Sequence, residues 1–277
     1  MTKHMKLGII GGGNMAASLV SGLIADKCDP STLWVSDPDT LKLDFFKKNF
    51  NVNTTLNNNE VIEATDVVLL AVKPQILCSV TTPLAPLVQQ HKPLIISIAA
   101  GIGEADLQRW LGGNVAIVRC MPNTPACIGS AMTGMFANGF VSDDQRDQAE
   151  TILRAVGLTL WLTNESLLNA VTALSGAGPA YFFLVMEALE RAGEVMGLTP
   201  FEAHLLTVQT ALGAARLALE SHESLSSLRQ RVTSKGGVTE CAVHVLETGG
   251  LSELFVRALQ AASLRSEDIA RTLGQST

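Results

Sequence analysis

Three groups of residues in this chain could do chemistry. The first is Ile10-Gly11-Gly12-Gly13-Asn14-Met15-Ala16, whose spacing is GxGxxA. On a turn from strand to helix this pattern builds a pyrophosphate site for a dinucleotide. Gly11 permits the tight turn, Gly13 lets backbone amides approach a phosphate, and Ala16 allows close packing of helix on strand; the helix N-terminus adds partial positive charge. Ser36 and Asp37 follow near the spacing at which an acid takes the ribose diol of NAD, while Ser36 could take the 2′-phosphate of NADP. Asp37 also has the plainer use of capping the turn made with Pro38. NADH and NADPH both stay open.

The second group is three loops: Ala71-Val72-Lys73-Pro74, Ser97-Ile98-Ala99-Ala100-Gly101 and Met121-Pro122-Asn123-Thr124-Pro125. Small residues at strand ends let a flat nicotinamide ring lie against backbone, and Asn123 and Thr124 are candidates to orient its amide. In the third group, Ser175 and Gly176 open one helix and Ser234-Lys235-Gly236-Gly237-Val238-Thr239 opens another. Free amides at Gly237, Val238 and Thr239 suit a carboxylate, and the Thr239 hydroxyl can donate or accept a proton.

Such loops need a parallel sheet behind them. Strands are expected at Lys6–Ile10, Thr32–Val35, Val67–Ala71, Leu94–Ile98, Val115–Cys120 and Thr159–Leu162, several apolar throughout, as strands buried on both faces are. Helices are expected at Asn14–Ala25, Thr40–Phe50 and Glu104–Leu111, and Ser142 with Gln145 forms a capping box for a helix reaching about Val156. After Asn164 the texture becomes rich in Ala, Leu and Glu with helical periodicity. Pro179 and the cap Thr199-Pro200-Phe201-Glu202 mark two long helices there. The fold expected is α/β: a Rossmann-type dinucleotide-binding domain over residues 1–164, then an all-α domain over 165–277. Helices with more apolar surface than one face needs, around Ala180–Met186 and Ala211–Leu219, point to a homodimer.

Composition narrows the function classes. The 277 residues carry 20 Lys and Arg against 26 Asp and Glu, a net charge of −6, so no cationic footprint for nucleic acid is present. Uninterrupted apolar stretches such as Val67–Val72 are short, and no membrane span is expected. Met1–Met5, in which Met5 is an alternative start, leads straight into the glycine turn without room for a signal peptide; a cytoplasmic location is expected. Five scattered cysteines without a CxxC pair read as core residues, and neither they nor the five histidines show metal-ligand spacing, so no metal is expected.

Six ordered motifs closely resemble pyrroline-5-carboxylate reductase: IGGGNM (Ile10–Met15), AVKP (Ala71–Pro74), SIAAG (Ser97–Gly101), MPNTP (Met121–Pro125), SGAGPAY (Ser175–Tyr181) and SKGGVT (Ser234–Thr239). The likeness runs nearly end to end. It implies a Rossmann domain with an interlocked helical dimer domain. It also implies that NAD(P)H, with NADPH favoured, is held by the first three motifs together with Ser36, Asp37 and Asn58. The imino acid is then held between SGAGPAY and the GGVT turn of the partner subunit, and hydride transfer to its ring gives L-proline. The family's last signature commonly ends Gly-Gly-Thr-Thr; here Val238 replaces the first Thr, so only Thr239 keeps a hydroxyl.

Two other readings remain to be weighed. A β-hydroxyacid dehydrogenase uses a helix-borne lysine, yet no lysine occurs between Lys92 and Lys235. A non-catalytic dinucleotide-binding protein has no need for the two polar helix entrances.

Overall fold

The computed structural model describes residues 5–274; Lys3 and His4, part of the short lead before the glycine turn, lie outside them. Among the described residues, eight strands form one sheet: β1 Leu7–Ile10, β2 Leu33–Ser36, β3 Asn53–Thr55, β4 Val67–Leu70, β5 Leu94–Ser97, β6 Ile117–Met121, β7 Ala131–Ala137 and β8 Gly157–Trp161. Their spatial order is β3-β2-β1-β4-β5-β6-β7-β8. All neighbours pair in parallel except β6 with β7. The helices between strands are α1 Asn14–Ala25, α2 Thr40–Phe50, α3 Asn58–Ala64, α4 Pro74–Thr81, α5 Ala85–His91, α6 Glu104–Trp110 and α7 Asp143–Arg154. After the sheet come α8 Leu167–Val171, α9 Gly178–Val195, α10 Pro200–Glu220, α11 Leu225–Arg231, α12 Val238–Thr248 and α13 Leu251–Gly274.

Alternation along the central strands sends side chains to two separate cores. Leu7, Ile9, Val67, Leu69, Leu94 and Ile96 pack on one face with Leu19 and Leu23 of α1, Phe46 of α2 and Ile152 of α7. Ile10, Val68, Leu70, Ile95 and Ile117 pack on the other with Val61 of α3, Leu77 of α4, Val88 of α5 and Leu107 of α6. Burial on both faces explains why these strands read as continuous apolar runs. Strands β3 and β7 escape that reading: β3 is Asn-Thr-Thr at the sheet edge, and β7 carries Thr133 and Gly134. Gly134 is required by packing, since a Cβ there would lie 2.8 Å from Val171 Cγ1. The helices α3, α4 and α5, 7 or 8 residues long, are absent from that reading; Pro83 and Pro86 break the stretch that holds α4 and α5.

The chain divides into two compact units, residues 1–177 with 261–277, and residues 178–260. This differs from a boundary at Asn164 because α8 and the end of α13 pack with the sheet domain. Val171 meets Gly134, the Ser266 hydroxyl donates to Asn169 Oδ1 at 2.9 Å, and a Cβ on Gly101 would lie 2.9 Å from Ile269 Cγ2. In the second unit, α9 meets α10 at small residues, where a Cβ on Gly193 would sit 3.3 Å from that of Ala203, and through His204 Nδ1, 2.7 Å from Glu190 Oε1. Their large apolar side chains point elsewhere: Phe182, Phe183, Leu184, Leu205 and Leu206 are all exposed within the single chain.

One expectation needs correction. Cys28 and Cys120 are buried, but Cys127 and Cys241 are exposed, so core packing does not account for all five cysteines. Burial pushes the Cys120 thiol up, which keeps it protonated. The helical run Leu167–Val195 is 29 residues long and holds an 18-residue window of mean hydropathy 1.3, enough by length and composition alone to cross a membrane. Scanning for uninterrupted apolar stretches misses it because Asn169, Thr172, Ser175, Gly176, Gly178 and Pro179 interrupt the run.

Both capping boxes form. Ser142 Oγ accepts from the Gln145 amide at 3.3 Å while Gln145 Oε1 accepts from the Ser142 amide at 3.0 Å, and Thr199 and Glu202 do the same for α10. Ser142→Ala removes one half of the α7 box and should lower stability by about 1 kcal/mol in urea denaturation, with an unchanged m-value.

Candidate active site

The glycine turn sits where the sheet order reverses, between the carboxyl ends of β1 and β4, the crevice in which open α/β sheets bind ligands. Gly11 has φ +104, and a Cβ there would lie 2.7 Å from the Ala71 carbonyl oxygen. Its amide donates to Ser36 O at 2.8 Å, and the Ala71 amide donates to Ile10 O at 2.8 Å, so β1, β2 and β4 converge on this one residue. Gly13 is the N-cap of α1, with no side-chain cap and no acid in the first turn. A Cβ on Gly13 would meet nothing within 4 Å. Asn14 is exposed and Met15 half-buried beside it, while Ala16 is fully buried under the turn. An uncapped, acid-free helix start facing open space fits the phosphates of a dinucleotide.

Asp37 is buried, and its carboxylate is tied to the turn. Oδ2 accepts from the Gly12 amide at 2.8 Å, Oδ1 from the Asp39 amide at 2.9 Å, and Lys42 Nζ reaches both oxygens at 3.1 and 3.3 Å. Burial alone would push this carboxyl up; the two amides and the Lys42 ammonium outweigh it and hold it below the usual carboxylate range. Ser36, also buried, donates its hydroxyl proton to Asn58 Oδ1 at 2.7 Å, which places Asn58 at the same edge.

The other loops lie at neighbouring strand ends. Ala71 and Val72 back the glycine turn, Lys73 is the exposed N-cap of α4, and Pro74 is its first residue. After β5, Ala99 is buried and Ile98 and Ala100 are half-buried. Asn123 is already committed within the protein: Oδ1 accepts from the Met132 amide at 2.9 Å, and Nδ2 donates to the carbonyl and hydroxyl of Ser175 at 3.2 and 3.3 Å. It braces a loop, so the expectation that it orients a nicotinamide amide is replaced.

Sequence reasoning missed two features of this region. Thr172–Gly176 forms a π-helical turn in which the Ala177 amide donates to Thr172 O at 2.9 Å, placing Ser175 and Gly176 on widened backbone of a kind common at functional sites. A Cβ on Gly176 would meet Met121 Cε at 2.7 Å. The second feature is Glu165, which accepts from Arg119 and from the Glu104 amide, each at 2.6 Å. It ties β6, the start of α6 and the segment before α8 together. No local pattern announces either feature; only the opposite charges of Arg119 and Glu165 were readable.

The second turn belongs to the other compact unit. Gly236 has φ +72, and Gly237 is the N-cap of α12 without a side-chain cap. The Gly237 amide donates to Ser234 O at 2.9 Å, so it is not free as expected; the amides left open at this helix start are those of Val238 and Thr239. Glu240 Oε2 accepts from the Gly236 amide at 2.7 Å, Val238 is exposed, and Thr239 is half-buried.

The comparisons with known proteins bear on this geometry. Residues 165–269 match the family model for pyrroline-5-carboxylate reductase dimerisation, and residues 6–101 match that for NADP oxidoreductase, coenzyme F420-dependent. The chain is 46% identical over 270 residues to the pyrroline-5-carboxylate reductase of Pseudomonas aeruginosa, covering 98% of each protein. The chain belongs to the pyrroline-5-carboxylate reductase family. It is also 41% identical to the Haemophilus influenzae enzyme of that name, over 96% of this chain and 98% of the relative. Among solved structures, the Coxiella burnetii reductase superposes with a TM-score of 0.93 at 48% identity, covering 96% of this chain and 98% of that one. The Plasmodium falciparum pyrroline carboxylate reductase, solved with NADP bound, superposes with a TM-score of 0.85 at 28% identity, covering 98% and 100%.

The Asp37 clasp makes stability depend on pH. A carboxyl held low in the folded state contributes stability that is present above its unfolded value, about 3.9, and is lost as pH falls through the lower folded value. Asp37→Asn should therefore be less stable than the parent at pH 7, with the gap closing below about pH 4 in urea titrations at the two pH values.

Proposed function

We propose that this chain catalyses the NAD(P)H-dependent reduction of 1-pyrroline-5-carboxylate to L-proline, the last step of proline biosynthesis. The observation that carries this reading is the 46% identity to a named reductase over 98% of the chain. The uncapped α1 start behind Gly13 and the small-residue loops at the ends of β4 and β5 support it. The dehydrogenase alternative needs a helix-borne lysine that the helices after β8 lack. In this reading residues 1–164 bind the coenzyme and residues 165–277 serve dimerisation and substrate binding.

The coenzyme, when bound, supplies a hydride for C5 of the protonated cyclic imine. The chain's own residues position and protonate. Amides at the start of α1 and the backbone of Gly11–Gly13 hold phosphate; Ser36, Asp37 and Asn58 set the adenosine end; Ala71–Pro74 and Ile98–Ala100 form the wall for the ring. The open amides of Val238 and Thr239 take the substrate carboxylate, with Ser175 and Gly176 of the partner subunit's π turn across from them. Because the imine must be cationic to accept hydride, a proton has to be held at its nitrogen. The Thr239 hydroxyl orients that proton and relays it from water, since a hydroxyl with a pKa far above neutrality is a weak acid by itself. The Val238 side chain contributes no hydrogen bond.

The exposed apolar faces of α9 and α10 are what a homodimer covers, and the dimerisation-family match over 165–269 supports that use of the run Leu167–Val195 rather than a membrane span. A cytoplasmic location and the absence of nucleic-acid partners complete the reading; the net charge of −6 supports the latter.

Purified protein should consume NADPH when pyrroline-5-carboxylate is added, and no consumption of either reduced coenzyme would reject the assignment. Thr239→Ala should lower kcat/KM at least about tenfold, and an unchanged value removes Thr239 from the mechanism. Sedimentation should give a dimer or larger assembly; a stable monomer at micromolar concentration would contradict the apolar-face argument.

A further inference from the structure

The acid that follows β2 is spent inside the protein. To take a ribose diol, a carboxylate needs free lone pairs facing the ligand. Asp37 is 6% exposed, and both its oxygens are occupied by the Gly12 and Asp39 amides and by Lys42. The Lys42 side chain, by contrast, is 46% exposed. It lines, with Gly12, Gly13 and Asn14, an open cavity of about 360 Å³ beside the glycine turn. Lys42 thus lies against both the buried acid and the phosphate-binding turn.

Charge decides what such a place accepts. An unpaired carboxylate at the end of β2 would repel a phosphate monoester and favour a neutral diol. Paired with an ammonium, the same carboxylate presents no net charge, and the ammonium, with two of its three N–H groups on Asp37, keeps one to spare. At the same edge the Ser36 hydroxyl is already turned to Asn58 Oδ1, while Asn58 Nδ2 donates to nothing among the described residues. The donors left open here, on Lys42 and at Asn58 Nδ2, suit an acceptor-only ligand, and the exposed Asp39 carboxylate beside them has one oxygen turned to the Leu41 amide as the cap of α2.

We propose that Lys42 is the coenzyme-selecting residue: by neutralising Asp37 and offering its remaining N–H, it makes the adenosine end prefer a 2′-phosphate to a free ribose diol. The proposal rests on the dinucleotide reading above and adds to it the choice of NADPH over NADH. Lys42 lies five residues after Asp37, inside α2, outside every motif on which the sequence reading rested.

The test uses the full-length protein with Lys42→Met and Lys42→Arg. Calorimetry measures binding of 2′,5′-ADP and of ADP, and steady-state kinetics measures kcat/KM with NADPH and with NADH. Lys42→Met should weaken 2′,5′-ADP binding about tenfold or more relative to ADP and shift the NADPH/NADH ratio of kcat/KM toward NADH by a similar factor; Lys42→Arg should retain the parent ratios. Equal losses for both nucleotides would overturn the proposal, leaving Lys42 as a brace for the glycine turn, and so would unchanged ratios. A parent protein that binds neither nucleotide would defeat the coenzyme reading itself. Thermal melts of each variant separate loss of folding from loss of selection.

Discussion

The site depends on a backbone approach that only glycine allows. At Gly11 the chain leaves β1 at positive φ, with the Ala71 carbonyl where a side chain would begin. Its amide is bound to β2 and the preceding carbonyl to the residue after β4. Three strand ends are therefore held in one fixed arrangement, and everything the coenzyme is proposed to touch is positioned from it. The two apolar cores on either side of the sheet keep those ends in register, because slipping any central strand by one residue would exchange its two buried faces.

Charge in this region is kept by pairing it with backbone amides. Asp37 holds the Gly12 and Asp39 amides, and Glu165 holds the Glu104 amide; each also faces a cation, Lys42 five residues along the chain and Arg119 from elsewhere in the fold. Such carboxylates act as fasteners for loops whose own sequences are too small and too rich in glycine to hold a shape. The loops can then present bare backbone to a ligand, with their conformation fixed from behind. Asn123 does the same without charge, joining the loop after β6 to β7 and to the π turn.

The helical half follows another rule. In α9 and α10 the small residues Gly193 and Ala203 meet within the chain, and the large apolar ones are left exposed. A helix pair built this way is incomplete by itself in water, since the exposed leucines and phenylalanines represent burial not yet gained. That incompleteness explains why the run beginning at Leu167 has the hydropathy of a membrane segment although it belongs to a family with a dimerisation domain.

The sequence by itself determined what depends on neighbours along the chain. The glycine turn, the buried strands, both capping boxes and the change of texture after Asn164 each arise from local spacing, and the six motifs carried the family. Some short elements were not legible: β3 is three polar residues at an edge, and Pro83 and Pro86 break the stretch that holds α4 and α5. Tertiary structure alone decided how the polar groups are spent. That Asp37 is consumed by Gly12, 25 positions back, and that Asn123 reaches Ser175 across 52 positions depend on where the chain returns in space. A residue type lists the hydrogen bonds a side chain can make; only the fold, by bringing distant donors within 3 Å or so, settles which are already made and which remain for a ligand.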